Sequence, residues 1–315
     1  MIKTPLCDLL GIEYPIFQGG MAWVADGALA AAVSEGGGLG IIGAGNAPGS
    51  FVREQISVVR ALTKKPFGVN IMLLSPFADE VAAVCTEEKV AVVTTGAGNP
   101  SRFMEQWLGA GIKVIPVVPS VAMTKLVTRA GASAVIAEGG ESGGHIGELS
   151  TMVLVPQVCD ATDLPVLAAG GIADGRGVAA SFMLGAAGVQ VGTRFLSAHE
   201  CSIHPTYKEK ILKANDISTM TTGKRLGHPV RSLKTSFARA YLKAEYDSSV
   251  SDEALEAMGT GALRLAVVEG DLQNGCFLAG EIAGMVRREQ PAAEIIREMF
   301  TEAEDVLKGA GRWVR

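Results

Sequence analysis

The sequence predicts an α/β protein built as a closed (β/α)8 TIM barrel, and three observations carry that expectation. Eight short apolar runs rich in β-formers recur between residues 14 and 193. Segments with helical periodicity separate them. Nearly every run ends in glycine or a small polar residue, while the run starts show no such enrichment. Continuous apolar strands alternating with amphipathic helices mark a parallel sheet covered by helices. Eight βα units in roughly 200 residues suit closure better than an open doubly wound sheet.

The strands are expected at "YPIFQGG" (14–20), "GLGIIGAG" (38–45), "PFGVNIML" (66–73), "VAVVTTGAG" (90–98), "KVIPVV" (113–118), "SAVIAEGG" (133–140), "LPVLAAGG" (164–171) and "AGVQVGT" (187–193). "SFVREQISVVRALTKK" (50–65) and "SVAMTKLVTRAGA" (120–132) are typical of the helices between them. Residues 197–280 break the rhythm and read as helix and loop without further barrel strands.

Composition narrows the function. Of 315 residues, 48% are hydrophobic and only 5% aromatic, so the core is aliphatic. The net charge of −5 argues against a general nucleic-acid binder. Cys7, Cys85, Cys159, Cys201 and Cys276 show no CxxC pair and no metal spacing, which suits reduced thiols and a cytoplasmic location. The N-terminal stretch lacks a signal peptide's apolar core, and no run reaches the roughly 18 apolar residues of a membrane span.

In a barrel of this kind, function sits at the C-terminal strand ends. There the sequence places "AEGGESGGHIGELS" (137–150), a single histidine, His145, among five glycines. "AAGGIADGRG" (168–177) and "QVGTRF" (190–195) end the last two strands, where barrels commonly hold a phosphate on free backbone N–H groups. Gly38, Gly40 and Gly43 match G-x-G-x-x-G but fall within a strand, so the match is read as chance. His199, His204 and His228 read as solvated or structural, and Glu141 as a solvated loop carboxylate.

"YPIFQGGMAW", "GGLGIIGAGNAP", "KPFGVNIMLLSPF", "VVTTGAGNPS", "KVIPVVPSVA", "AVIAEGGESGGHIGELSTM", "AAGGIADGRG" and "VQVGTRF", in this order, resemble the flavin-dependent enoyl-acyl-carrier-protein reductase II family, whose wider relatives are the nitronate monooxygenases. "HPTYKEKILKA" and "GHPVR" extend the resemblance beyond the barrel. It implies FMN on the barrel mouth, with residues 1–196 and 281–315 as the barrel and 197–280 as a small helical lid. Gly20 would bind the cofactor, Met21 and Ala22 would line the isoalloxazine ring, and Asn70 would bond its polar edge. Glu138 would lie near the ribityl chain, and Gln190 near ring or ribityl. Gly170, Gly171, Gly192 and Thr193 would hold the phosphate. Gly143 and Gly144 would let the backbone approach the cofactor.

The implied reaction takes hydride from NADPH or NADH to a trans-2-enoyl thioester carried on acyl carrier protein or CoA, as in fatty acid synthesis. His145 is expected to donate the proton or polarise the carbonyl. A homodimer is expected. Lys208–Lys243 holds nine basic residues against two acidic ones, which would suit an anionic partner such as a carrier protein or a nicotinamide cofactor. Two alternatives stand beside this reading. One is nitronate oxidation by O2 on the same flavin, with His145 as base. The other is a phosphate- or flavin-binding barrel without catalysis, against which His145 in its glycine cradle argues.

Overall fold

A computed structural model describes residues 2–313. Eight parallel strands form the barrel: β1 (Ile16–Gln18), β2 (Gly40–Gly43), β3 (Phe67–Met72), β4 (Val92–Gly96), β5 (Lys113–Val118), β6 (Val135–Glu138), β8 (Val166–Ala169) and β9 (Gly188–Val191). A two-residue strand, β7 (Gly144–His145), follows β6 and lies outside the barrel. All eight barrel strands fall inside the runs expected from the sequence. Their order is β1-β9-β8-β6-β5-β4-β3-β2, and a parallel bridge between Phe17 and Leu39 joins the two ends.

The seam between β1 and β2 is completed by a side chain. The buried amide of Gln18 donates to the Ile41 carbonyl at 3.2 Å and accepts from the Ile41 N–H at 3.2 Å. It thus satisfies backbone groups that the short strands leave without a ladder partner, as burial requires.

The barrel interior is a packed apolar plug of Phe17, Ile41, Val92, Ile115, Ile136 and Leu167. The helix Pro5–Leu10 closes its lower end with Leu6 and Leu10. A second core fills the space between strands and outer helices. Asp26, Ser120 and Asp174 cap their helices with side-chain oxygens, which fixes where each helix begins. The long helix Ala292–Gly309 packs against helices Gly175–Met183 and Gly27–Glu35.

Residues 197–280 contain more than the helix and loop read from the sequence. Two strands, β10 (Thr219–Thr222) and β11 (Val230–Leu233), pair antiparallel, and β11 also pairs antiparallel with β7. Each is four residues long and β7 only two, too short for a strand periodicity to register. This small sheet ties residues 197–280, called the lid below for their place over the barrel mouth, to the loop that carries His145. No helix among the described residues is long and apolar enough to cross a membrane.

Candidate functional site

The C-terminal strand ends and the lid enclose a cavity of about 1170 Å³. Gly20, Met21, Ala22, Asn70, Glu138, Gly143, Gly144, His145, Gly170, Gly171, Gln190, Gly192 and Thr193 all line it, so every residue selected from the sequence reaches one space. The lid contributes an apolar roof that includes Phe237, Tyr241 and Leu263. Small-ligand pockets run to roughly 1,000 Å³, so this one has room for a cofactor and a second molecule.

The glycine-rich stretch is a braced element rather than a free loop. Gly144 pairs with Arg231 and His145 with Val230, and the Ile146 N–H donates to the Pro229 carbonyl at 3.0 Å. The Arg231 guanidinium donates to the Gly140 carbonyl at 3.0 Å and pairs with Glu281 at 3.0 Å. His145 is therefore fixed from the lid side. In the sequence Arg231 reads only as part of a basic run. Its partners lie 91 and 50 positions away, beyond any local pattern.

Two of the expected site residues make further contacts within the protein, and one expectation, for Glu141, is corrected. A Cβ on Gly143 would lie 2.6 Å from the backbone at Ala279–Gly280, so this glycine already serves close packing of two protein segments, besides any approach to a cofactor. The Thr193 hydroxyl accepts from the Gly280 N–H at 2.9 Å and so ties the barrel to the same segment. Glu141 is no solvated loop carboxylate. It accepts from the Thr151 N–H at 2.9 Å and the Thr151 hydroxyl at 2.8 Å, at the N-terminus of helix Thr151–Cys159, where an anion is favoured. His204 is structural as expected, since its Nδ1 accepts from the Thr206 N–H at the start of helix Pro205–Leu212.

On the barrel side, Gly170 and Gly171 both take positive φ, +92° and +73°. Glycine alone adopts two such residues in succession without steric cost. The Asn70 amide N–H donates to the Thr94 hydroxyl at 3.0 Å, and a Cβ on Gly20 would collide with the Asn70 Cβ at 2.2 Å. The buried amide oxygen of Gln190 has no hydrogen-bond partner among the described residues. An orphaned acceptor on a cavity wall marks a place where a ligand donor completes the site.

The titratable groups are perturbed in opposite directions. His145 keeps an exposed side, yet desolvation by the surrounding cavity wall lowers its pKa, and like-charge repulsion from the neighbouring His228 lowers it further. The imidazole is therefore mostly neutral at pH 7. His228, read from the sequence as solvated or structural, shares the cavity wall with it. Removing that neighbour in His228→Gln should raise the His145 pKa. An NMR titration of the His145 ring protons checks this, and an unchanged or lowered midpoint would refute the coupling.

Burial pushes the Glu138 carboxyl up to about 7. The folded state therefore holds this proton more tightly than the unfolded chain, whose carboxyl has the ordinary value of 4.5. Stability is lost as pH rises from 4.5 to about 7, and the deficit is complete above that. Glu138→Gln should stabilise the ligand-free protein at pH 8 by up to about 3 kcal/mol and change little at pH 4. Thermal melts at the two pH values measure the difference, and an equal shift at both would refute it.

Among the described residues no cluster of three or more His, Cys, Asp or Glu could hold a metal ion. Comparison with known proteins agrees with the barrel and places the chain. The model of the nitronate monooxygenase family matches residues 3–88 and 75–302. A probable nitronate monooxygenase of Staphylococcus saprophyticus is 32% identical, covering 97% of this chain and 99% of its own. An octahydro-indene carboxyl-CoA dehydrogenase of Mycobacterium tuberculosis is 32% identical, covering 99% of both. Among solved structures, FabK from Thermotoga maritima superposes with a TM-score of 0.97 at 51% identity over the whole of both chains. Nitroalkane oxidase from Streptomyces ansochromogenes gives 0.86 at 29% identity, covering 97% of this chain and 99% of that one. The chain belongs to the nitronate monooxygenase family of oxidoreductases.

Proposed function

We propose that the chain is an FMN-dependent enoyl-thioester reductase that draws hydride from NADPH or NADH. One observation carries this reading above the others. Similarity to FabK runs the full length at 51% identity, whereas the staphylococcal nitronate monooxygenase reaches 32% and the Streptomyces nitroalkane oxidase 29%.

The residues present fit FMN. Gly170, Gly171 and Gly192 leave a barrel-end cradle for its phosphate, and the unpartnered Gln190 oxygen waits for a donor on the ring or ribityl chain. Bound there, FMN supplies a two-electron carrier between nicotinamide and the enoyl β-carbon. The chain does the rest. The lid's Phe237, Tyr241 and Leu263 would give the reacting face an apolar cover. His145, mostly neutral at pH 7, offers a ring N–H to the thioester oxygen as that oxygen gains enolate charge. The lowered pKa favours polarising the carbonyl over donating a proton, so the α-carbon of the enolate takes its proton from solvent, which reaches this exposed side chain.

The substrate would arrive as a thioester of CoA or of an acyl carrier protein. Four of the nine basic residues in Lys208–Lys243 are engaged by carboxylates of this chain. Lys208, Lys213, Arg225 and Arg231 pair with Glu289, Glu209, Asp252 and Glu281. Lys210, Lys224, Lys234, Arg239 and Lys243 remain exposed and are the residues that would face an acidic carrier.

The family name, with the nitronate and nitroalkane relatives, favours a second reading in which a neutral His145 acts as a base in nitronate oxidation. Comparing kcat/KM for crotonyl-CoA with NADPH or NADH against kcat/KM for ethylnitronate in air decides between them. The proposal expects the first to exceed the second. A nitronate value that is the larger would reverse the assignment.

A further inference from the structure

Trp23 is held with φ at +64°, a left-handed conformation that bulky side chains rarely adopt. Such strain costs about 1–3 kcal/mol and tends to persist where a site needs it. The residue follows β1 on the cavity wall. Its ring packs tilted on Phe51, with centroids 6.1 Å apart, and carries the Arg264 guanidinium 5.8 Å from its centroid.

Arg264 arrives from the lid, at the end of the short helix Ala262–Arg264. That helix runs directly into a π-helical turn, Leu265–Glu269, closed by Gly270 at φ +64°. Turns of this type are rare and concentrate at functional sites. Arg264 is exposed and also lines the cavity, which places it on the rim. Among the described residues it has no acidic partner and no hydrogen-bond acceptor, whereas Arg53, Arg60, Arg102, Arg176, Arg225, Arg231 and Arg288 all have carboxylate partners. A guanidinium held over an aromatic ring, with no acceptor of its own, keeps its N–H donors available for a phosphate. Gly259, Thr260 and Gly261 line the same stretch of wall, and a Cβ on Gly261 would meet nothing within 4 Å.

We propose that Trp23 and Arg264 form a phosphate-binding site on the cavity rim, separate from the barrel-end cradle, that holds a ribose phosphomonoester at the adenosine end of the second ligand. Naming that ligand rests on the reductase reading. A 2′-phosphate would belong to NADPH, and a 3′-phosphate to a CoA thioester. Trp23 orients the guanidinium, and Arg264 supplies charge and donors. Without Arg264, the remaining ionisable group on the 256–264 wall is Glu256, which repels phosphate.

Calorimetric titration of the protein as purified with adenosine 2′,5′-bisphosphate and adenosine 3′,5′-bisphosphate tests this without turnover. One or both should bind. Arg264→Gln should weaken that binding about ten- to a hundredfold, as expected for loss of charge-assisted bonds to phosphate. Arg264→Lys should fall between, because it keeps the charge and loses the flat fork. If the 2′,5′ compound is preferred, Arg264→Gln raises KM for NADPH and not for NADH. If the 3′,5′ compound is preferred, it raises KM for crotonyl-CoA and not for crotonyl-pantetheine. Failure of both compounds to bind, or equal binding by wild type and Arg264→Gln, would overturn the site. Arg264-dependent binding in a protein that reduces no enoyl thioester would keep the site and remove the reductase reading instead.

Discussion

Replacing His145 by alanine should lower enoyl-thioester reduction about 10²–10⁴-fold, the usual loss when a positioned polarising or acid group is removed. Flavin content should persist, because the barrel-end glycines and Gln190 are untouched. Uptake of hydride from NADPH or NADH should change much less, since that step develops no charge on a thioester oxygen. Single-turnover measurements of the two half-reactions separate these effects. The fold should survive, because β7 pairs with β11 through backbone groups that alanine retains. Reduction of crotonyl-CoA by the variant at the wild-type rate would make His145 a structural residue.

The largest effect on stability is expected from Gly40→Ala. A Cβ there would sit 1.8 Å from the Ala30 carbonyl oxygen and 2.6 Å from the Ala30 Cα, both backbone atoms of helix Gly27–Glu35. No rotamer change relieves such a contact, so the helix must move off the barrel. The expected loss is about 3 kcal/mol or more, with Tm lowered by at least about 6 °C. A Tm equal to that of wild type would contradict this close packing of helix on strand. The same geometry explains why G-x-G-x-x-G appears in this strand without a dinucleotide behind it. Gly40 makes room for a helix, and a Cβ on Gly43 would lie 2.6 Å from the Met21 carbonyl.

These glycines show what a sequence of this kind discloses. The barrel strands are legible because each is a continuous apolar run closed by glycine, and the parallel order follows from the helices between them. The cavity wall is legible because its residues cluster at strand ends. What stays hidden depends on distant partners. Glu141 reads as solvated because Thr151, which fixes it, is 10 residues on and across a turn. β7 is two residues long, and its partners Val230 and Arg231 lie more than 80 positions further along the chain. The basic excess of Lys208–Lys243 overstates a docking surface, because three of its four paired residues find their acids beyond that segment. Nothing local marks Trp23 for a positive φ, since neither glycine nor asparagine stands there.

On the reductase reading, this cavity couples nicotinamide to an enoyl thioester through a bound flavin. Anaerobic stopped-flow absorbance tests it most directly. The purified protein should be yellow, bleach near 450 nm (about the visible band of oxidised flavin) on mixing with NADPH or NADH, and regain that absorbance when crotonyl-CoA is added without oxygen. A protein that binds no FMN, or whose reduced flavin is reoxidised by oxygen and left untouched by crotonyl-CoA, would contradict the account.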